Sequence, residues 1–376
     1  MASPFNQVKT PVLLLIAPFF LWGTAMVAMK GVIDTTTPLF LATLRLMPAG
    51  VLVLVVAAFL GRQQPRSWQG WAWIGGFALV DGTLFQGFLA EGLQRTGAGL
   101  GSVMIDSQPI AVALMARFLF QEIVGPVGWL GLAIGIVGIS LLGLPDEWIL
   151  QVASSIKAAV ATGQWPSLAL SGPLSGPLSG NDLWTAMVGH GEWLMLLAAL
   201  SMAVGTVMIA YVARHVDPVV ATGWHMILGG VPLLGLSAYV EVEQWQHITA
   251  TGWLAIAYAT AFGSALAYGI FFYLAAKGNL TSLSALTFLT PVFALAFSTS
   301  LLAENLTTVQ WSGVSLTLIS IYLVNQRDTI SRSVQEVLVL FLTTPSVSGL
   351  VKTVSPQLSA GLTDWLRSQN VDPSAD

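Results

Sequence analysis

The chain has 376 residues, 55% of them hydrophobic and only 9% charged, with a formal net charge of −4 and no cysteine; its mean hydropathy is +0.76. Soluble domains carry roughly a quarter charged residues, so an aqueous surface could not be covered with this composition. The charge balance offers no basic stripe for nucleic acid, and a chain without Cys has no disulfide, no thiolate chemistry and no thiolate metal site.

A cytoplasmic N-terminus at 1–10 precedes ten apolar runs, read at roughly 11–30, 38–60, 71–90, 97–119, 126–144, 193–213, 218–239, 251–273, 281–302 and 309–325. About twenty apolar residues match the hydrocarbon thickness of a bilayer. Only helices or closed barrels satisfy the backbone in lipid, and these runs are continuous rather than alternating. The predicted fold class is therefore all-α integral membrane, with ten transmembrane helices. Lys9 ahead of the first run imitates a signal peptide, but that run is long and its Gly23-Thr24 recurs later, so it reads as a retained span. Residues 145–192 form an insert, with an amphipathic-looking stretch from Asp146 to Trp165 and then a Ser-Gly-Pro-Leu repeat across 171–180, for which no regular structure is expected. A tail follows at 327–376, whose apolar Val337–Leu342 is too short to span.

The two halves are alike. Pro109, Glu122, Trp129 and Gly131 recur as Pro291, Glu304, Trp311 and Gly313 at a constant offset of 182, which also pairs Gly23-Thr24 with Gly205-Thr206, Gly70-Trp71 with Gly252-Trp253, and Arg95 with Lys277. Around the second run the offset is 180, pairing Pro38 with Pro218 and Ala49-Gly50 with Gly229-Gly230. This predicts a duplication, 11–144 and 193–326, of five spans each. An odd number of spans forces the copies into opposite orientations. With the N-terminus in the cytoplasm, inner positions collect Lys9, Arg62, Arg66, Arg117, Arg214, Lys277 and Arg327, against Lys30, Arg95 and Lys157 outside. That bias places both termini in the cytoplasm and the insert outside.

The five-helix duplication, Trp22-Gly23 early in the first helix, and the pattern of Pro109 then Glu122, and Pro291 then Glu304, closing the fourth and ninth helices resemble the EamA-type branch of the drug/metabolite transporter superfamily. The resemblance covers roughly 11–326 and leaves out the insert and tail. It implies an inner-membrane carrier of small organic metabolites, often an exporter, with its site between two pseudo-symmetric halves. Asp106-Ser107-Gln108-Pro109 looks like a form seen in cyanobacterial and plastid members, pointing to a bacterial, cyanobacterial inner membrane. Physics reaches the same class, because inverted repeats can exchange conformations and so open alternately to either side.

Charge within hydrocarbon costs at least about 2.5–3.5 kcal/mol on insertion scales, so such residues have a role or a partner. Away from the ends of the runs, four charged or imidazole side chains fall within the membrane: Arg45, Asp81, Asp106 and His225. Arg45 and His225 are equivalents at offset 180, whereas Asp81 and Asp106 align with Gly263 and Phe288. An asymmetric charge set on a symmetric scaffold fits a polar ligand. Asp106 lies three positions before Pro109, which frees the carbonyl of Ile105 beside a carboxylate, with Ser102 one turn earlier and Gln108 adding an amide. The plainer reading is an Asp106–Arg45 ion pair that locks helices. Asp81 shares a helical face with Phe85 and Phe88, suited to an amphipathic substrate or a proton, or is simply a hydrogen-bonded Asp beside Gly82. Arg45 can hold a substrate carboxylate or phosphate, or neutralise either acid. His225 can relay protons or pack through hydrogen bonds. Trp22 and Tyr268 are candidates for the cavity wall. Glu122 and Glu304 end their helices and are expected to accept from helix N-termini such as those near Val127 and Val309, or to act at a gate with Pro109 and Pro291. Gly97/Gly101 and Gly131/Gly135 have the small-xxx-small spacing that lets helices approach closely.

The leading expectation is a secondary transporter, not an enzyme, exporting small polar or amphipathic metabolites such as amino acids or nucleobases, by proton exchange or down the substrate's own gradient. No cofactor or metal is implied, the partners are a small-molecule substrate and the lipid bilayer, and the oligomeric state is open. The alternatives are a lipid-carrier flippase and an intramembrane enzyme acting on lipid. The four histidines are scattered and no Asp-x-x-x-Asp pair occurs within the apolar runs, which speaks against the enzyme.

Overall fold

A computed structural model describes residues 11–29, 32–95, 104–143, 191–302 and 307–327, together with a few isolated positions in the insert and at 330. Ser102, Glu304, Gly97/Gly101, nearly all of the insert, and the tail beyond 327 lie outside the described residues, so the expectations placed on them stand as expectations.

The described residues are all-helical. In chain order the helices are α1 (Val12–Met29), α2 (Pro38–Phe59), α3 (Trp68–Arg95), α4 (Gln108–Phe120), α5 (Gly125–Gly143), α6 (Gly191–Val212), α7 (Pro218–Val240), α8 (Ala250–Ala275), α9 (Leu280–Leu302) and α10 (Thr308–Asn325). Seven of them (α1, α2, α3, α6, α7, α8 and α9) are long and apolar enough to cross a membrane. α4 and α5 are shorter apolar helices, and α10 carries Gln310, Ser312, Ser315, Thr317 and Ser320 among its apolar residues.

The helix starts follow from local chemistry. Pro occupies the first turn of α2 and α7, where its missing N–H is no loss. Ser67, Thr249 and Asn279 turn side-chain oxygens back to the amides of Gly70, Gly252 and Ser282, and Thr307 with Gln310 forms a capping box. Asp217 caps α7 through Val219 and Val220 and reaches Arg62, at the end of α2, at 3.1 Å. At the opposite end of the same helix pair, Glu241 accepts from the amides of Leu39 and Phe40 and the hydroxyl of Thr37, completing the start of α2.

Two interruptions recur. α3 passes through a π-helical stretch at Ala78–Phe85 and α8 through one at Ala259–Leu266. A turn at Asp106-Ser107 precedes α4, and a 3-10 turn at Leu286–Phe288 lies within α9. The wider turns of the two π-helical stretches re-aim side chains, and such stretches are frequent at functional sites.

Each helix of the first half packs on a counterpart in the second. The most extensive pairings are α2 with α7, α5 with α10, α1 with both α8 and α9, and α3 with both α6 and α7. α5 meets α10 reciprocally: a Cβ on Gly135 would lie 2.6 Å from Ser320 Oγ, and one on Gly138 would lie 2.6 Å from Thr317 Oγ1. These two contacts exchange with each other under the offset of 182. α3 and α7 approach until a Cβ on Gly82 would lie 2.8 Å from the Cα of Gly229, and Thr83 donates to the Gly229 carbonyl at 2.9 Å. Only residues without a side chain permit that backbone contact. The buried core between the halves is apolar and aromatic, with Phe19, Phe77, Phe271 and Phe272 fully buried.

Candidate functional site

The π-helical stretch of α3 aims Asp81 at α6 and α7. Its carboxylate packs on the bare backbone of Gly205 in α6, and its Oδ2 lies 3.2 Å from Nε2 of His225 in α7. Both side chains are buried, at 1% and 0% exposure. The approach is not aligned as a hydrogen bond, so both carboxylate oxygens and both ring nitrogens remain without a hydrogen-bond partner. The imidazole is clamped by rings instead: Phe77 lies 4.2 Å away centroid to centroid, and Phe272 stands edge-on at 5.5 Å.

One turn along α3, the buried amide of Gln86 donates to the Tyr268 hydroxyl of α8 at 3.0 Å. Tyr268 lies within electrostatic range of both Asp81 and Arg45, and its ring meets Trp22 of α1 edge-on at 5.2 Å. Trp22 also touches Phe19 and Phe271, while its indole N–H is buried and unpartnered. Arg45 is only partly covered, yet its Nε is buried without a partner. On the side of α4, buried Gln108 donates to Thr206 of α6 at 3.3 Å and leaves its amide oxygen unpartnered. Five helices, α1, α3, α4, α7 and α8, thus bring an acid, an imidazole, amides, a phenol and an indole into one interior. Unpartnered buried groups on this scale cost stability wherever nothing binds them. Among the described residues no three His, Asp or Glu side chains converge as a metal site would require.

The structure brings Asp81, His225, Arg45, Trp22 and Tyr268 into this interior, with Phe85 buried beside them in the same core. Several expectations need correction. Asp106 is not inside a helix: it sits in the turn before α4, partly exposed, and Pro109 opens that helix rather than breaking it. Among the described residues no ion pair joins Asp106 to Arg45. The acid that finds a basic partner is Asp81, and that partner is His225, a pairing the sequence reading did not anticipate. Glu122 does not serve the N-terminus near Val127. It accepts from Thr281 N at 3.3 Å, in the first turn of α9, and from Arg327 Nη2 at 3.0 Å. Pro291 lies near the start of the last segment of α9, just after the 3-10 turn.

The chain matches the EamA-like transporter family over residues 9–144 and 189–326. It belongs to that family. Its relatives include an uncharacterized transporter of Synechocystis sp., 61% identical over 86% of this chain and 92% of that protein. A WAT1-related chloroplastic protein of Arabidopsis thaliana is 48% identical over 83% of this chain and 68% of that protein. The uncharacterized inner membrane transporter YedA of Escherichia coli K12 is 26% identical over 82% and 89%. One solved crystal structure superposes with a TM-score of 0.63 at 16% identity, over 83% of this chain and 94% of that one, a likeness of fold alone. The protein is therefore a membrane transporter of the EamA-like family.

Sequence reading missed Gln86, Thr206, Phe77 and Phe272. Gln86 had a signal: an uncharged amide inside an apolar run, at offset 182 from Tyr268. Attention to charge alone passed over it. The two phenylalanines had none, since one aromatic in a hydrophobic run looks like any other.

Proposed function

We propose that this EamA-like protein is a secondary transporter that exports small polar or amphipathic metabolites, such as amino acids or nucleobases, in exchange for protons. On this reading it spans a cyanobacterial inner membrane ten times, as two inverted five-helix repeats with both termini in the cytoplasm. The reciprocal contacts of α5 with α10 and the repeated interruptions of α3 and α8 support the two-fold duplication on which that arrangement rests.

The observation that carries the reading is the Asp81–His225 pair, buried where helices of the two halves meet. Such a pair stays neutral overall either as carboxylate with imidazolium or as carboxylic acid with imidazole, two states that differ by the position of one proton. A cationic substrate group near Asp81 displaces the imidazolium proton, and its departure restores it. Arg45, with a buried unpartnered Nε, suits a substrate carboxylate, and the ring faces of Trp22 and Tyr268 suit its apolar part.

The test is transport in proteoliposomes across a panel of labelled amino acids, nucleobases and phosphorylated metabolites, with and without an imposed pH gradient. At least one compound should be driven by the gradient, and Asp81→Asn should abolish that drive in a protein that elutes as folded. Gradient-driven transport that survives both Asp81→Asn and His225→Gln would sink the reading.

A further inference from the structure

An apolar groove of about 440 Å³ opens on the surface of the bundle, between α1, α2, α7 and α8. Leu14, Val53, Val56, Ala265 and Ile270 are among the residues that line it, and several of its wall residues are exposed, including Leu52, Val56 and Leu266. At one end the groove reaches Arg62 and Tyr273. Arg62 also lines a second cavity, a polar cleft of about 690 Å³ between the 61–67 and 213–218 loops, which includes Arg66, Gln63, Gln64 and His215. The two cavities share one arginine, polar on one side and apolar on the other.

The charge at this junction is one-sided. The segments 59–68, 211–220 and 273–279 carry four cations, Arg62, Arg66, Arg214 and Lys277, and one acid, Asp217. Asp217 is committed twice, capping α7 through one oxygen and holding Arg62 through the other. Lys277 donates to the Tyr273 hydroxyl at 2.8 Å, placing an ammonium at the groove's mouth. Basic and aromatic residues at that level are what a lipid headgroup meets at a membrane interface.

We propose that the groove and cleft together form a binding site for one anionic phospholipid, its acyl chain lying along α1, α2 and α8 and its headgroup phosphate seated at Arg62 and Arg66. A zwitterionic lipid would bring its own cation against the same arginines and bind less well. The site is separate from the Asp81–His225 interior, and its test reads lipid rather than transport.

The protein is reconstituted in vesicles of phosphatidylcholine with phosphatidylglycerol, extracted in mild detergent, and its retained lipid counted by native mass spectrometry. Phosphatidylglycerol should be retained in clear excess over its share of the vesicle, with one molecule per chain outlasting the rest. Gly269→Phe fills the groove at a position where an added Cβ meets nothing within 4 Å, and should abolish that retention. Arg66→Gln should weaken it severalfold without touching the Arg62–Asp217 pair. Equal retention of both lipids would overturn the proposal. So would a phosphatidylglycerol preference that Gly269→Phe leaves intact, since that would be loose attraction to a basic surface.

Discussion

Gln86 and Tyr268 stand 182 residues apart, at the same position under the offset that links the two halves, and they hydrogen-bond to each other at 3.0 Å. Equivalent positions of a duplication meet only where a two-fold axis passes between them; a simple translation keeps every such pair apart. The bond therefore supports a two-fold relation between the halves, with Asp81 and Arg45 both within electrostatic range of Tyr268. At an axis the two copies must differ if the site is to hold an asymmetric ligand in one orientation, and here one copy supplies an amide and the other a phenol.

Tyr268→Phe removes the hydroxyl and leaves the Gln86 amide buried without that partner. It should lower stability by about 0.5–2 kcal/mol, and Gln86→Met on the same background should cost less than it does alone. Thermal unfolding of the detergent-solubilised single and double variants measures the coupling. Strict additivity would mean that the bond contributes nothing.

Gly205 leaves room for Asp81. Gly205→Val sets a branched side chain against the carboxylate, and overpacking of this kind costs about 1–3 kcal/mol. Proton-driven transport should fall further than the loss of folded protein explains, because the acid is pushed away from His225. Transport per folded molecule, compared between Gly205→Val and wild type, reads this directly.

Glu122 ties α9 to Arg327 from the short connection between α4 and α5. Both side chains are largely buried, at 14% and 5% exposure, and removing one partner from such a pair costs about 3 kcal/mol or more. Glu122→Ala should show that loss in a denaturation assay. Glu122→Gln, which keeps an oxygen for Thr281 and Arg327, should lose less than half as much.

The α5–α10 contact has no spare volume. Gly135→Leu drives a side chain into the Phe288 ring and Ser320 and should abolish the monodisperse peak in fluorescence-detected size exclusion. Gly75→Leu is the control, since a Cβ there meets nothing within 4 Å, and it should run as wild type.

The composition and the apolar runs were enough to assign an all-helical membrane protein, because lipid leaves the backbone few alternatives. The charge count within those runs picked out Asp81, Arg45 and His225, because placing charge in hydrocarbon demands a reason. Which acid meets which base was beyond it. Helical spacing put Asp106 inside a helix and offered Arg45 as the base for either acid, whereas the π-helical stretch rotates Asp81 toward His225, and the turn at Asp106 withdraws the other acid. A shift of helical register is a small local change with few marks in sequence, and it redirects a side chain through a large angle. Partners such as Glu122 with Arg327, 205 residues apart, depend on how whole helices pack. Periodicity along one helix carries no record of that, and only the tertiary structure decides it.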